Sequence, residues 1–264
     1  MGILLGVLAC VIGFNLLIEP VIEGGFIYFP SREIVQTPKD AGLDYQDLFL
    51  TAPDGVKLNC WHVDHPNSRK VILFFHGNGS NMSFLVPVME YFYGFPVDTF
   101  FVDYRGYGRS EGKPSEKKLY QDARLVYQYL VEQKNYRPKD IVLWGWSLGA
   151  SVAIDLAVDH EASALVVHSG ITSARDMSAR LFTPVLQPLI WLRSKFNNTA
   201  KLKQVKCPQL FIHSKADQVV PYEMGVKNYQ AANEPKDFIS LERNTHEEFE
   251  FNEAEDKKIR EFVR

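Results

Sequence analysis

The stretch Ile141 to Gly149, IVLWGWSLG, constrains this chain more tightly than any other. A short apolar run ends in Gly-Trp-Ser-Leu-Gly, and an alanine-rich helical pattern follows from Ala150 to Val158. Strand, sharp turn and helix in that order are the setting in which a G-x-S-x-G turn lifts a serine above a sheet. Gly145 and Gly149 carry no Cβ, so the strand and the helix can crowd the turn. The spacing predicts Ser147 at the C-terminal edge of the sheet. It also predicts the backbone N–H of Leu148 aimed at any oxyanion formed there.

The rest of the chain alternates in the same way. Strands are predicted at Tyr45 to Leu50 and Val56 to Val63, joined by the Asp54-Gly55 hairpin signal. Further strands are predicted at Lys70 to Phe75, Thr99 to Asp103, Ala164 to His168, Gln209 to His213 and Phe238 to Leu241. Several are apolar throughout, as strands buried on both faces are. Helices are predicted over Ser83 to Tyr93, Ser115 to Lys134 and Glu247 to Val263. This is an α/β pattern: a mostly parallel twisted sheet of about eight strands flanked by helices. A length of 264 residues suits one such domain, placed at 26–264, and a net charge of −3 gives no reason to expect nucleic acid. Phe26 to Arg32 reads as a short linker into the domain.

Two stretches fall outside the alternation. Residues 2–18, GILLGVLACVIGFNLLI, carry no charge. They match a membrane-spanning helix at its lower limit of about 17 residues. No Lys or Arg precedes Arg32, unlike a secretory signal. We therefore expect residues 1–25 to be a single-pass anchor. The basic residues beyond it lead us to expect the following domain on the cytoplasmic side. The second stretch, about 171–206, reads as a small helical cap. Its apolar residues, among them Leu186 and Leu189, are ringed by Arg193, Lys195, Lys201 and other basic side chains. Such a cap could be a ligand-binding lip against an anionic membrane, or a helix packed on the core with a solvated basic face. Cys10, Cys60 and Cys207 form neither a disulfide framework nor a metal signature, and no metal or cofactor is expected.

A serine hydroxyl needs a base, and the base needs a third group to orient it. Asp217 lies just beyond the strand Gln209 to His213, and His246 follows the last strand. The order Ser147, Asp217, His246 is the one this sheet architecture uses. His246 would take the serine proton, and Asp217 would hold the opposite ring N–H. His168 and His213 fall within or at the end of strands and are expected to be packed. A second oxyanion donor is expected from the loop His76 to Asn81, with the Asn78 N–H as candidate and His76 as a brace. Asp103 to Ser110, DYRGYGRS, is expected to be a turn beside the site.

These residues together resemble the α/β-hydrolase superfamily, and within it the Bem46-like membrane-associated serine hydrolases related to α/β-hydrolase-domain depalmitoylases. The carrying motifs are FIYFPSRE from Phe26, FFHGNGSN from Phe74, DYRGYGRSEG from Asp103, GWSLGA from Gly145, ADQVVP from Ala216 and the late His246. The family usually places glycine before that histidine, where this chain has Asn244-Thr245. The resemblance implies a serine esterase or thioesterase without cofactor, working through an acyl-serine. Its substrate would be a small acyl ester or thioester, a lipid or an acylated protein. Two alternatives share the scaffold: an acyltransferase using the same triad, and a membrane-tethered binding module without catalysis.

Overall fold

A computed structural model describes residues 27–181, 192–243 and 245–264. The predicted anchor at 1–25 lies outside the described residues, as do residues 182–191 of the predicted cap. Among the described residues no helix is long and apolar enough to cross a membrane.

The strands, in chain order, are β1 (Phe29–Pro30), β2 (Gln46–Thr51), β3 (Lys57–Val63), β4 (Val71–Phe75), β5 (Gly79–Ser80), β6 (Asp98–Val102), β7 (Ile141–Trp146), β8 (Ala164–His168), β9 (Gln209–Ser214) and β10 (Lys236–Leu241). Eight of them form one sheet in the order β10-β9-β8-β7-β4-β6-β3-β2. Pairing is parallel from β10 to β6 and antiparallel at β6–β3 and β3–β2. The Asp54-Gly55 turn makes the antiparallel hairpin, with Gly55 at φ 83°.

Strands β4, β6, β7, β8 and β9 are buried along their whole length. The pleat divides their side chains between two cores. Leu73, Leu143 and Val167 join the core beneath the helices Glu116–Glu132 and Leu148–Asp159. Phe74, Trp144 and Val166 join the core on the other face, with Phe92, Ile259 and Val263 from the helices Val86–Tyr93 and Glu253–Val263. Because those strands run parallel, the loops after β4, β7, β9 and β10 open at one edge of the sheet. In such sheets this edge is where ligands bind.

The structure departs from the sequence reading at three places. The last helix begins at Glu253, not Glu247; Asn252 caps it by accepting from the Ala254 and Glu255 amides, both at 3.0 Å. The residues before it cannot continue the helix because Phe249 turns inward against the sheet edge. Its ring lies 5.7 Å from those of both Trp144 and Trp146 and 5.2 Å from that of His168. Second, the supposed linker contains β1, which pairs in parallel with β5 through Phe29↔Gly79 and Pro30↔Ser80. Third, the helix Tyr222–Ala231 was not anticipated. Within the predicted cap, the described helices are Ala174–Leu181 and Asn198–Leu202. Lys201 there is tied to Asp155 at 2.7 Å and lies 3.9 Å from the Tyr120 ring, so it is committed to the domain.

Candidate active site

The turn after β7 has a steric logic that can be read atom by atom. A Cβ on Gly145 would lie 2.3 Å from the Gly149 carbonyl oxygen, and one on Gly149 would lie 1.9 Å from that of Phe75. Both glycines are therefore demanded by backbone that nothing can move aside. Between them Ser147 sits at φ 56° and ψ −116°, a conformation costly for a side-chain-bearing residue. Its N–H is held by the His168 carbonyl at 2.8 Å. Leu148 opens the helix Leu148–Asp159, where the first amides have no carbonyl within the helix to bond.

Ser147, Asp217 and His246 come together at this edge. His246 Nε2 lies 2.9 Å from Ser147 Oγ, and His246 Nδ1 lies 2.7 Å from Asp217 Oδ2. The side chain of Asp217 is fully buried. Burial alone would raise its carboxyl; hydrogen bonds from His213 and His246, the nearby imidazole and the Val220 amide outweigh that and hold it far below the usual range. Its second oxygen accepts the Val219 and Val220 amides at 2.9 and 2.8 Å. The carboxylate is therefore fixed in orientation as well as in charge.

The other histidines are packed as expected. His213 Nε2 lies 3.0 Å from the Val220 carbonyl and 3.4 Å from Asp217 Oδ2. His168 stacks on Trp146 at 5.7 Å, and burial first, then the His213 and His246 charges, lower it to about 3. Both belong to the wall around the triad.

The loop after β4 faces the serine. A Cβ on Gly77 would touch Ser147 Cβ at 3.6 Å. A cleft of ≈ 300 Å³ is lined by Gly77, Asn78, Phe84, Trp146, Ser147 and His246 among others. Asn78 thus lines the same cleft as Ser147, and Leu148 follows Ser147 directly at the start of the helix. His76 is 2 % exposed, and its Nδ1 lies 2.7 Å from the Gly77 carbonyl. Burial lowers it to about 4, so the ring is neutral and Nδ1 carries the proton that this carbonyl accepts. The turn Asp103 to Ser110 packs behind this loop. Asp103 Oδ1 accepts the Met82 amide at 2.7 Å and lies 3.5 Å from His76 Nε2. Gly108 presses on the other oxygen of Asp103, leaving a Cβ only 2.0 Å.

Sequence reasoning missed two features. Phe249 wedges the His246 loop against Trp144 and Trp146, yet nothing marked it as other than a helical residue. At the opposite end of the sheet His62, Asp64 and Asp98 bring potential ligand atoms within 4.8 Å of one another. Tyr136 Oη bridges two members of that group, 3.2 Å from His62 Nε2 and 2.5 Å from Asp98 Oδ2.

A buried parallel sheet, a strained serine between two glycines, and an acid and a histidine converging on it define an α/β hydrolase. The family model described as serine aminopeptidase, S33, matches residues 66–207. The chain is 33% identical over 234 residues to protein bem46 of Schizosaccharomyces pombe, spanning 79% of this chain and 77% of that one. It is 27% identical over 226 residues to alpha/beta hydrolase domain-containing protein 17B of Homo sapiens, spanning 83% and 76% of the two chains. The esterase Pf2001 of Pyrococcus furiosus shares the fold with a TM-score of 0.75 at 24% identity, over 89% of this chain and 98% of that one. The chain belongs to the Bem46-like family of α/β hydrolases.

Proposed function

We propose that this hydrolase cleaves acyl esters or thioesters through an acyl-Ser147 intermediate. The observation that carries the reading is the continuous relay of 2.9 Å and 2.7 Å from Ser147 through His246 to Asp217. In this scheme His246 Nε2 takes the Ser147 proton as Oγ attacks the acyl carbonyl carbon. Asp217 keeps the remaining imidazole proton on Nδ1 and stabilises the imidazolium that forms. The Leu148 and Asn78 N–H groups hold the tetrahedral oxyanion. His246 then returns its proton to the departing alkoxide or thiolate. Water enters, loses a proton to the same nitrogen and releases the acid from the serine.

The cleft rim supports an apolar acyl group: Phe84 and Trp146 line it beside the serine. A lipid, an acylated protein and a small ester all present that chemistry. We place the protein at a membrane through residues 2–18, whose uncharged composition supports it. Flotation with liposomes, lost on deletion of 2–18, checks that placement; unchanged flotation refutes it.

A panel of p-nitrophenyl esters from acetate to palmitate, beside a thioester and an aminopeptidase substrate, tests the reaction class. The reading expects turnover of the esters and the thioester, abolished in Ser147→Ala. Turnover of the peptide substrate alone would overturn it. An added alcohol or amine acceptor that diverts the acyl group away from water would favour the transferase reading.

A further inference from the structure

The loop carrying Asn78 is held in place from outside by the segment containing β1. Its carbonyls are taken up one after another. Tyr104 Oη donates to the His76 carbonyl at 2.7 Å, and the His76 ring to that of Gly77 at 2.7 Å. The Asn78 carbonyl accepts from both the Phe29 amide at 2.9 Å and Tyr107 Oη at 2.7 Å. The Ser80 carbonyl accepts from the Ser31 amide at 3.1 Å. The segment is gripped in return. Asn81 Nδ2 donates to the carbonyls of Ser31 and Glu33 at 3.1 and 2.7 Å, and the Gly108 amide to Ser31 at 2.8 Å. Arg32 reaches the Ser110 carbonyl at 2.9 Å.

Ser80 sits at φ 63°, a left-handed conformation that a serine does not choose unaided. The loop shape is therefore imposed by its neighbours. An oxyanion hole needs amide hydrogens. A peptide rotated the other way would present a carbonyl, whose negative end repels the developing charge. In a trans peptide the N–H points opposite to the C=O, so fixing the Gly77 carbonyl on His76 also fixes the direction of the Asn78 N–H. The donor on that carbonyl also polarises the amide, which strengthens its N–H.

We propose that residues 29–33 are a positioning strap for the oxyanion hole: paired with Asn78 to Ser80 and gripped by Asn81, they keep the loop carbonyls turned away from Ser147. The idea rests on the oxyanion role given to Asn78 above.

Two full-chain variants test it. Asn81→Asp keeps the side-chain size and the oxygen that accepts the Ser83 amide at 2.9 Å, but turns a carboxylate onto the Ser31 and Glu33 carbonyls and releases the strap. Tyr107→Phe removes one of the two donors on Asn78 without changing the core volume appreciably. We expect kcat per folded molecule to fall about 10- to 100-fold in the first and about 10-fold or less in the second. KM should stay within about twofold, and the inhibition constant of an aryl trifluoromethyl ketone should rise in step with the loss of kcat/KM. The double variant should lose less than the product of the two, because both act on one loop. Unchanged kcat in both variants, or lost kcat with undiminished ketone affinity, overturns the strap. If Asn81→Asp does not fold, Tyr107→Phe decides by the same criteria. Failure of the wild type itself to turn over esters would instead remove the proposed function beneath it.

Discussion

Replacing Asp217 by asparagine should silence the enzyme while leaving its architecture intact, and the structure says why. One oxygen of Asp217 accepts two amides, Val219 and Val220, at 2.9 and 2.8 Å. The other faces His246 Nδ1 at 2.7 Å. An asparagine can satisfy the two amides only with its oxygen. The flipped arrangement would set its NH2 against two buried N–H donors, at about 1–3 kcal/mol for each unmet group. The NH2 must therefore face His246 Nδ1, which has to accept. The ring proton then moves to Nε2, where it points at Ser147 and cannot be replaced by the serine proton. A triad with the wrong tautomer loses about 10⁴ in kcat, which corresponds to about 5 kcal/mol of barrier. Initial rates on a short p-nitrophenyl ester would measure it, with a thermal melt to show the variant is folded. KM should barely move, since the buried Asp217 side chain does not line the cleft. A folded variant that keeps kcat within tenfold of wild type would refute this account of the acid.

Gly145→Ala places a Cβ 2.3 Å from the Gly149 carbonyl oxygen and 2.4 Å from Ala150 Cα, so the elbow has to yield by about 1 Å. A shift of that size costs about 10² in kcat and about 1–3 kcal/mol in stability; wild-type kcat in a chemical-denaturation-matched sample would contradict it. Asp103, raised by burial to about 7, binds its proton more tightly in the folded chain than in the unfolded one. Stability from this group is therefore fully present below about pH 4 and is lost as pH rises to about 7, by up to about 4 kcal/mol. Asp103→Asn should be more stable than wild type at pH 8 and gain less at pH 5, by urea titration. An equal difference at both values would refute a buried, protonated carboxyl.

Much of the fold was legible because the strongest signals were local. The apolar strands Val71–Phe75 and Ile141–Trp146 are buried on both faces and announce themselves by composition alone. The G-x-S-x-G turn carries its own steric requirement. An acid beyond β9 and a histidine beyond β10 needed only a parallel sheet to be brought to one edge. What was not legible depends on long-range contacts with no periodic trace. Strand β1 has two residues and finds its partner fifty positions away, so no alternation could reveal it. Phe249 looks like a helical apolar residue until the indoles of Trp144 and Trp146 provide the surface that draws it in. The helix Tyr222–Ala231 has only Met224, Gly225 and Asn228 buried, too few apolar positions to mark a face.

The proposed chemistry begins with the hydroxyl at 147 as nucleophile. Mass mapping of the protein after treatment with a fluorophosphonate tests it most directly. One adduct is expected, on the peptide containing Ser147, that vanishes in Ser147→Ala and forms far more slowly when His246 is replaced by alanine. An adduct on any other residue, or folded wild-type protein that takes up no label, would contradict it.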